Sequence, residues 1–194
     1  MITTRIFFIR HGEVENPNKI LYGRLPGFGL SEVGRKQLMD TSEKLKNRKV
    51  DVIFSSPLLR ARESAKILGD RWRLIPKVSR LLIEVDLAVE GMSTIEYNAK
   101  VQPHLYDPYY LEQGQESIDH ISKRMTKFLH MILSEYKGKT IAVVSHGDPI
   151  GILKADIMNK PFTFDFKMTN YLKTGQWAEL ICKDYVCEWS DLSL

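Results

Sequence analysis

Two histidines in this sequence follow short apolar runs and precede a glycine. His11 comes after Ile6-Phe7-Phe8-Ile9-Arg10, and His146 after Ile141-Ala142-Val143-Val144-Ser145. A neutral imidazole is a competent nucleophile toward phosphorus, and an imidazolium stabilises charge building on equatorial oxygens. Two arginines stand near boundaries of the same kind. Arg10 adjoins His11, and Arg60 follows Val52-Ile53-Phe54 and Ser55-Ser56-Pro57. A guanidinium fork binds two oxygens of one anion together. Phosphoryl transfer needs positioning and charge stabilisation more than covalent machinery, and this set supplies both. Gly147, near the start of a predicted helix, adds a backbone N–H that can meet an anion. The leaving alkoxide needs a proton from a carboxylic acid, whose conjugate base can then activate water. Glu13, Glu84, Asp86 and Glu90 are all eligible, and their spacing does not choose among them.

These side chains need elements to position them. The continuous apolar run 6–9 suits a strand buried on both faces of a parallel sheet, 50–54 reads as a second buried strand and 140–144 as another strand. Residues 12–30 hold Gly12, Pro17, Gly23, Pro26, Gly27 and Gly29 and form a long irregular stretch, the kind that is usually functional or disordered. Ser31 reads as an N-cap, with Glu32 in the first turn of a helix running to about Asn47. Pro57 suits the start of a second helix, along which Ala61, Ala65 and Leu68 follow at helical spacing. Residues 77–84 suggest a third strand, while 86–113, rich in Tyr, Pro and Gly, resist assignment. Glu116 to Tyr136 carries an apolar stripe near 3.6-residue spacing and is the clearest helix. A helix over about 149–158 and a terminal hairpin of 177–182 with 185–190 complete the pattern. Strands alternating with helices predict an α/β fold with a mostly parallel sheet. The polar clusters at 10–11, 55–60 and 145–147 then fall at carboxyl ends of strands, where open α/β sheets bind ligands.

Bulk properties narrow the field. The 194 residues fit one domain spanning 1–194. Hydrophobic content of 43% and charged content of 27% are ordinary for a globular protein. A net charge of +4 suits an anionic small molecule or a phosphoprotein, but the basic residues are spread along the chain, which disfavours nucleic acid. Cys182 and Cys187 lack a second pair for zinc and read as reduced structural cysteines. The apolar run ending at Ile9 is short for a signal peptide, and no window nears the ~20 apolar residues of a membrane span. The expectation is a cytoplasmic protein without membrane contact.

The motifs together resemble the histidine phosphatase superfamily, in its phosphoglycerate-mutase-like branch. Its opening strand and Arg-His-Gly-Glu are matched by Arg10-His11-Gly12-Glu13, and its second motif by Ser55-Ser56-Pro57-Leu58-Leu59-Arg60-Ala61. Leu82-Ile83-Glu84-Val85-Asp86 followed by Glu90-Gly91 resembles the third, and Ser145-His146-Gly147 the fourth. The segment from Glu116-Ser117 to Arg124 also follows the family pattern. The resemblance covers nearly the whole chain and implies a three-layer sandwich with helices on both faces of the sheet. It implies that His11 is the phosphorylated nucleophile and that Arg10, Arg60 and His146, with Gly147, bind the phosphoryl oxygens. Glu84 would be the general acid and then the base, with no metal and no cofactor.

The family pattern is not matched everywhere. Val14 stands where many relatives have Thr or Ser, and Pro17, flanked by Asn16 and Asn18, where many have Asn. Asn16 or Asn18 could substitute for that Asn, and Tyr22 and Arg24, which lie on the long loop, are further candidate substrate contacts. Three functions compete: a phosphomonoesterase, a phosphoglycerate-type phosphomutase and a non-catalytic phosphate-binding module. The mutases carry an inserted arginine pair for the substrate carboxylate, and no Arg-Arg pair lies between Glu84 and Glu116. Retention of His11, Arg60, Glu84 and His146 speaks against the non-catalytic module.

Overall fold

In the computed structural model, which describes residues 2–190, the run Ile6-Phe7-Phe8-Ile9 forms the middle of the sheet. Met1 and residues 191–194, the two ends of the predicted 1–194 domain, lie outside the described residues. Strand β1 (Thr3–Arg10) sends Ile6 and Phe8 to one face and Phe7 and Ile9 to the other, all with no exposed surface. That alternation is the pleat of a strand covered on both sides. Its neighbour β4 (Thr140–Ser145) and, beyond it, β2 (Val52–Ser55) behave alike, so two apolar cores sandwich one sheet.

The sheet order is β3-β2-β4-β1-β5-β6. The pairs from β3 (Lys77–Val78) through β1 are parallel. The hairpin of β5 (Trp177–Lys183) and β6 (Val186–Trp189) adds antiparallel strands beyond β1. One face is covered by α1 (Glu32–Lys44) and α2 (Leu59–Trp72), through Leu38, Ala61, Ala65 and Leu68. The other packs against two later helices, Ile118–Glu135 and Gly147–Ile157. The caps follow local chemistry: Ser31 Oγ accepts from the Gly34 N–H at 3.0 Å, and Ser117 Oγ from the His120 N–H at 3.1 Å.

Several boundaries differ from expectation for physical reasons. The third strand stops at Val78 instead of reaching 84, and Arg80–Leu82 forms a 3-10 turn. The carbonyls freed there are taken by side chains: Leu81 by Arg124 at 2.8 Å and Leu82 by Ser145 Oγ at 2.8 Å. The first helix ends at Lys44, before the expected Asn47, and the second begins at Leu59, beyond Pro57. The unassigned region becomes α3 (Thr94–Glu96), a π-helical turn at Tyr97–Val101, a 3-10 turn at Gln102–His104 and α4 (Pro108–Glu112). Pro103 and Pro108 sit in first turns, where a missing N–H costs little. The two long helices named above are α5 and α6, and α7 (Phe164–Asn170) was too short to be read from periodicity.

The cysteines are a correction. Cys182 and Cys187 form a disulfide across the β5–β6 pair and are not reduced. The two-residue turn Asp184-Tyr185, with both φ angles positive (45° and 73°), sets a register that makes the two cysteines direct cross-strand partners. Among the described residues no helix is long and apolar enough to cross a membrane.

Phe128 of α5 has no exposed surface and meets Phe54 edge-on at 5.4 Å between centroids. Phe128→Ala should lower the unfolding free energy by about 3–5 kcal/mol, read from urea denaturation. A loss below ~1 kcal/mol would show that this contact does not anchor α5 to the sheet.

Candidate active site

Because β1, β2 and β4 run parallel, their carboxyl ends share one edge, and Arg10 pairs directly with Ser145. The ladder continues one residue beyond the strands. The His11 N–H donates to the Ser145 carbonyl at 3.1 Å, and the Ser56 N–H to that of Val144 at 2.9 Å. Backbone pairing thus fixes the residues that carry polar groups at that edge.

His11, Arg60 and His146 are each no more than 1% exposed. The two imidazole centroids lie 5.1 Å apart. His11 Nδ1 lies 2.7 Å from the Gly12 carbonyl, which assigns its proton to Nδ1 and leaves the Nε2 lone pair facing the site. Arg60 Nε–H donates to that Nε2 at 3.2 Å, and Arg60 Nη2 to the Gly23 carbonyl at 2.8 Å. Each guanidinium rests on an aromatic face: Arg60 on Tyr22 at 4.7 Å and Arg10 on Tyr171 at 4.8 Å. Arg10 also donates to the Leu172 carbonyl at 2.9 Å, while its Nε is buried without a hydrogen-bond partner among the described residues. His146 Nε2 is 2.7 Å from Ser56 Oγ, and its Nδ1, also without a hydrogen bond, faces Glu84 Oε2 at 3.6 Å. Buried polar groups are normally satisfied, so two unsatisfied nitrogens close enough to feel one another's charge fit an anion.

Of the four eligible carboxylates, Glu84 faces the imidazoles. Its Oε2 is 3.9 Å from Arg60 Nη2, and its Oε1 accepts from the Val85 N–H at 2.9 Å. Glu13 instead accepts from Ser31 Oγ at 2.9 Å, Asp86 is held by Arg24 at 2.8 Å, and Glu90 accepts the Arg24 backbone N–H. Glu84 is itself hung from its carbonyl. Arg24 Nε donates to it at 2.8 Å, and Glu116 joins Arg24 (2.9 Å) to Arg124 (2.9 Å) close behind.

The electrostatics suit unlike roles for these groups. Burial, reinforced by Arg60 and Arg10, holds His11 well below the usual imidazole range. Burial, Arg60, His11 and Arg10 do the same to His146. In the unliganded protein His146 is therefore neutral rather than the cation anticipated from sequence, and a bound phosphate dianion is what would favour its protonation. Burial pushes the Glu84 carboxyl up, against the opposing pull of Arg60.

The remaining predicted residues sort themselves. Gly147 is the first residue of α6, and a Cβ there would overlap the Tyr171 hydroxyl. Tyr22 lines the cavity of about 220 Å³ together with Arg10, Glu84 and Tyr171. Asn16 does not line it: its amide clasps Ile20 N–H and C=O at 3.2 and 2.9 Å and closes the loop's turn. Asn18 is exposed on that turn and is also absent from the lining. Arg24 spends its guanidinium on Glu84, Asp86 and Glu116, so it supports the carboxylate and does not reach into the cavity.

Sequence reading missed Asp148, Lys167 and Tyr171, which also line the cavity. Asp148 directly follows His146-Gly147, a signal that was available, whereas Lys167 sits on α7 and Tyr171 just after it. His11, Glu84 and His146 bring potential metal-ligand atoms within 4.8 Å of one another. The set fits a cation poorly, because Arg60 already donates to the His11 lone pair and Arg10 adds a second positive charge to the same site.

Gly147→Ala should displace Tyr171 and with it the face on which Arg10 rests. Inhibition by inorganic phosphate should weaken roughly tenfold, the scale of one hydrogen bond to a charged group. An unchanged inhibition constant would separate Tyr171 from the placing of Arg10.

Comparison with known proteins places this geometry. The family model for the histidine phosphatase superfamily (branch 1) matches residues 6–191. An uncharacterized protein of Mycobacterium tuberculosis is 32% identical over 167 residues, covering 84% of this chain and 82% of its own. The metal-independent phosphoserine phosphatase of Arabidopsis thaliana is 30% identical over 167 residues, covering 78% of this chain and 66% of its own. Among solved structures, YhfR of Bacillus stearothermophilus superposes with a TM-score of 0.83 at 25% identity, covering 96% of this chain and 95% of that one. The four motifs, the sandwich that carries them and the match over almost the entire sequence make this chain a member of the histidine phosphatase superfamily.

Proposed function

We propose that the protein is a metal-independent phosphomonoesterase that works through a phosphohistidine on His11. The observation that carries this reading is the His11 imidazole, its Nδ1 tied to Gly12 and its Nε2 turned to Arg60, with His146 and Glu84 close by. As the Arg60 guanidinium turns from His11 to the phosphoryl oxygens, the freed Nε2 lone pair attacks phosphorus while the ester P–O bond breaks. Glu84, as the acid, gives its proton to the leaving oxygen. Arg10, Arg60 and His146 hold the equatorial oxygens, with the Gly147 N–H beside them. In the second half the Glu84 carboxylate takes a proton from water, which attacks phosphorus, breaks the N–P bond and releases phosphate. Both groups are thereby restored.

The pKa directions support these assignments. A depressed His11 stays neutral, and hence nucleophilic, below the usual imidazole range. A raised Glu84 keeps its proton to higher pH than an ordinary carboxyl. The substrate class that fits is a phosphorylated small molecule, in keeping with a cavity of about 220 Å³. The relative from Arabidopsis thaliana is by its name a metal-independent phosphatase. The mutase alternative lacks support, since residues 85–115 contain no arginine to hold a substrate carboxylate.

His11→Ala should abolish hydrolysis of p-nitrophenyl phosphate and the acid-labile label left by radioactive substrate, and retention of most activity would exclude the mechanism. Glu84→Gln should cost about 10²–10⁴-fold on an alkyl phosphate and far less on the nitrophenyl ester, whose leaving group needs no proton. Wild-type kcat/KM for the alkyl ester should fall as pH rises through the Glu84 pKa, because the acid form is lost. The nitrophenyl ester should show a shallower fall, and parallel profiles would point to another proton donor. EDTA should leave both rates unchanged.

A further inference from the structure

Beyond the buried anion seat, the cavity is walled by side chains of a different character. Leu21, Leu87 and Leu105 give it apolar surface, and Thr94, Asn98 and Gln102 give it neutral hydrogen-bonding groups. Apart from Arg10, the one cation among the described lining residues is Lys167. Its ammonium lies 2.8 Å from Asp148 Oδ1 and 3.0 Å from Oδ2, with both side chains only 7% exposed. Asp148 also accepts the Tyr106 hydroxyl at 2.7 Å. A lysine held this way has its field cancelled by its own counterion, and drawing it away would strand a buried carboxylate. A second anionic group in this part of the cavity would lose water and gain no free cation in return.

Resting on the monoesterase reading, we infer that the preferred substrate is the phosphomonoester of an uncharged, hydroxylated alcohol. Its carbon skeleton lies against the leucines, and its hydroxyl groups are read by Thr94, Asn98 and Gln102. Esters that carry a carboxylate or second phosphate beside the reacting phosphate are disfavoured.

The test uses a matched pair, glycerol 3-phosphate and 3-phosphoglycerate, which differ by a hydroxymethyl group against a carboxylate. p-Nitrophenyl phosphate serves as the third substrate. The wild-type protein should favour glycerol 3-phosphate by about tenfold or more in kcat/KM, the scale set by leaving a charged group unpaired. Gln102→Arg adds an uncompensated cation and should shrink that ratio by about tenfold, mainly through KM for 3-phosphoglycerate. Equal or reversed preference in a wild-type protein that hydrolyses the nitrophenyl ester would overturn the inference and leave the monoesterase reading standing. Absence of nitrophenyl ester hydrolysis would overturn both. The wild-type ratio decides even where the Gln102→Arg variant does not fold.

Discussion

Two guanidiniums and two imidazoles gathered beside one carboxylate, largely away from water, set the constraint that the rest of the molecule meets. Like charges so placed repel, and each loses hydration on burial. The fold answers with partners that do not block an incoming anion. Tyr22 and Tyr171 offer ring faces to Arg60 and Arg10, and the Gly23 and Leu172 carbonyls take one N–H from each. Glu84 supplies a single carboxylate at the margin. The imidazoles respond by staying neutral. Donors fixed in advance by the fold need no rearrangement when charge develops on a phosphoryl group, which is the basis of electrostatic preorganisation.

Rigidity at this edge begins in the sheet. β1 and β4 are buried on both faces, and their ladder extends through the His11 N–H to Ser145. The carboxylate is held by other means, because its segment has left the sheet at Val78. Arg24 from the long loop and Arg124 from α5 meet on Glu116, 3% exposed, and together fix the backbone around Glu84. A loop of nineteen residues by sequence, 12–30, therefore acts as a brace as well as a wall. This explains why Arg24 and Asn16, eligible as substrate contacts by position, are turned to structural work.

The sequence disclosed the sheet strands and the strand-end clusters because each rests on a local signal: an apolar run, a stop, a polar group. His11, Arg60 and His146 were legible for that reason. Choosing Glu84 from the residues alone was not possible, since the choice depends on which carboxylate escapes capture by Ser31, Arg24 or the Arg24 backbone. The Asp148–Lys167 pair joins residues nineteen apart on two helices, and no periodicity marks it. The disulfide was hidden differently. The hairpin was visible, but its register depends on two left-handed residues, Asp184 and Tyr185, neither of them glycine. The short turns between 94 and 112 escaped because each is too brief to show a period.

The wall over the cavity has a small core of its own. Tyr97, Val101 and Leu105 bury one another together with Leu21, Leu87, Val89, Met92, Tyr106 and Tyr110, and none of these residues belongs to the central sheet. Selection can thus redraw the lining one residue at a time while the strand-end chemistry is inherited intact. Diversification of substrates among proteins built on this plan needs no retooling of the reactive centre, only turnover in a canopy that is tied to the sheet core through Leu87 and Tyr106.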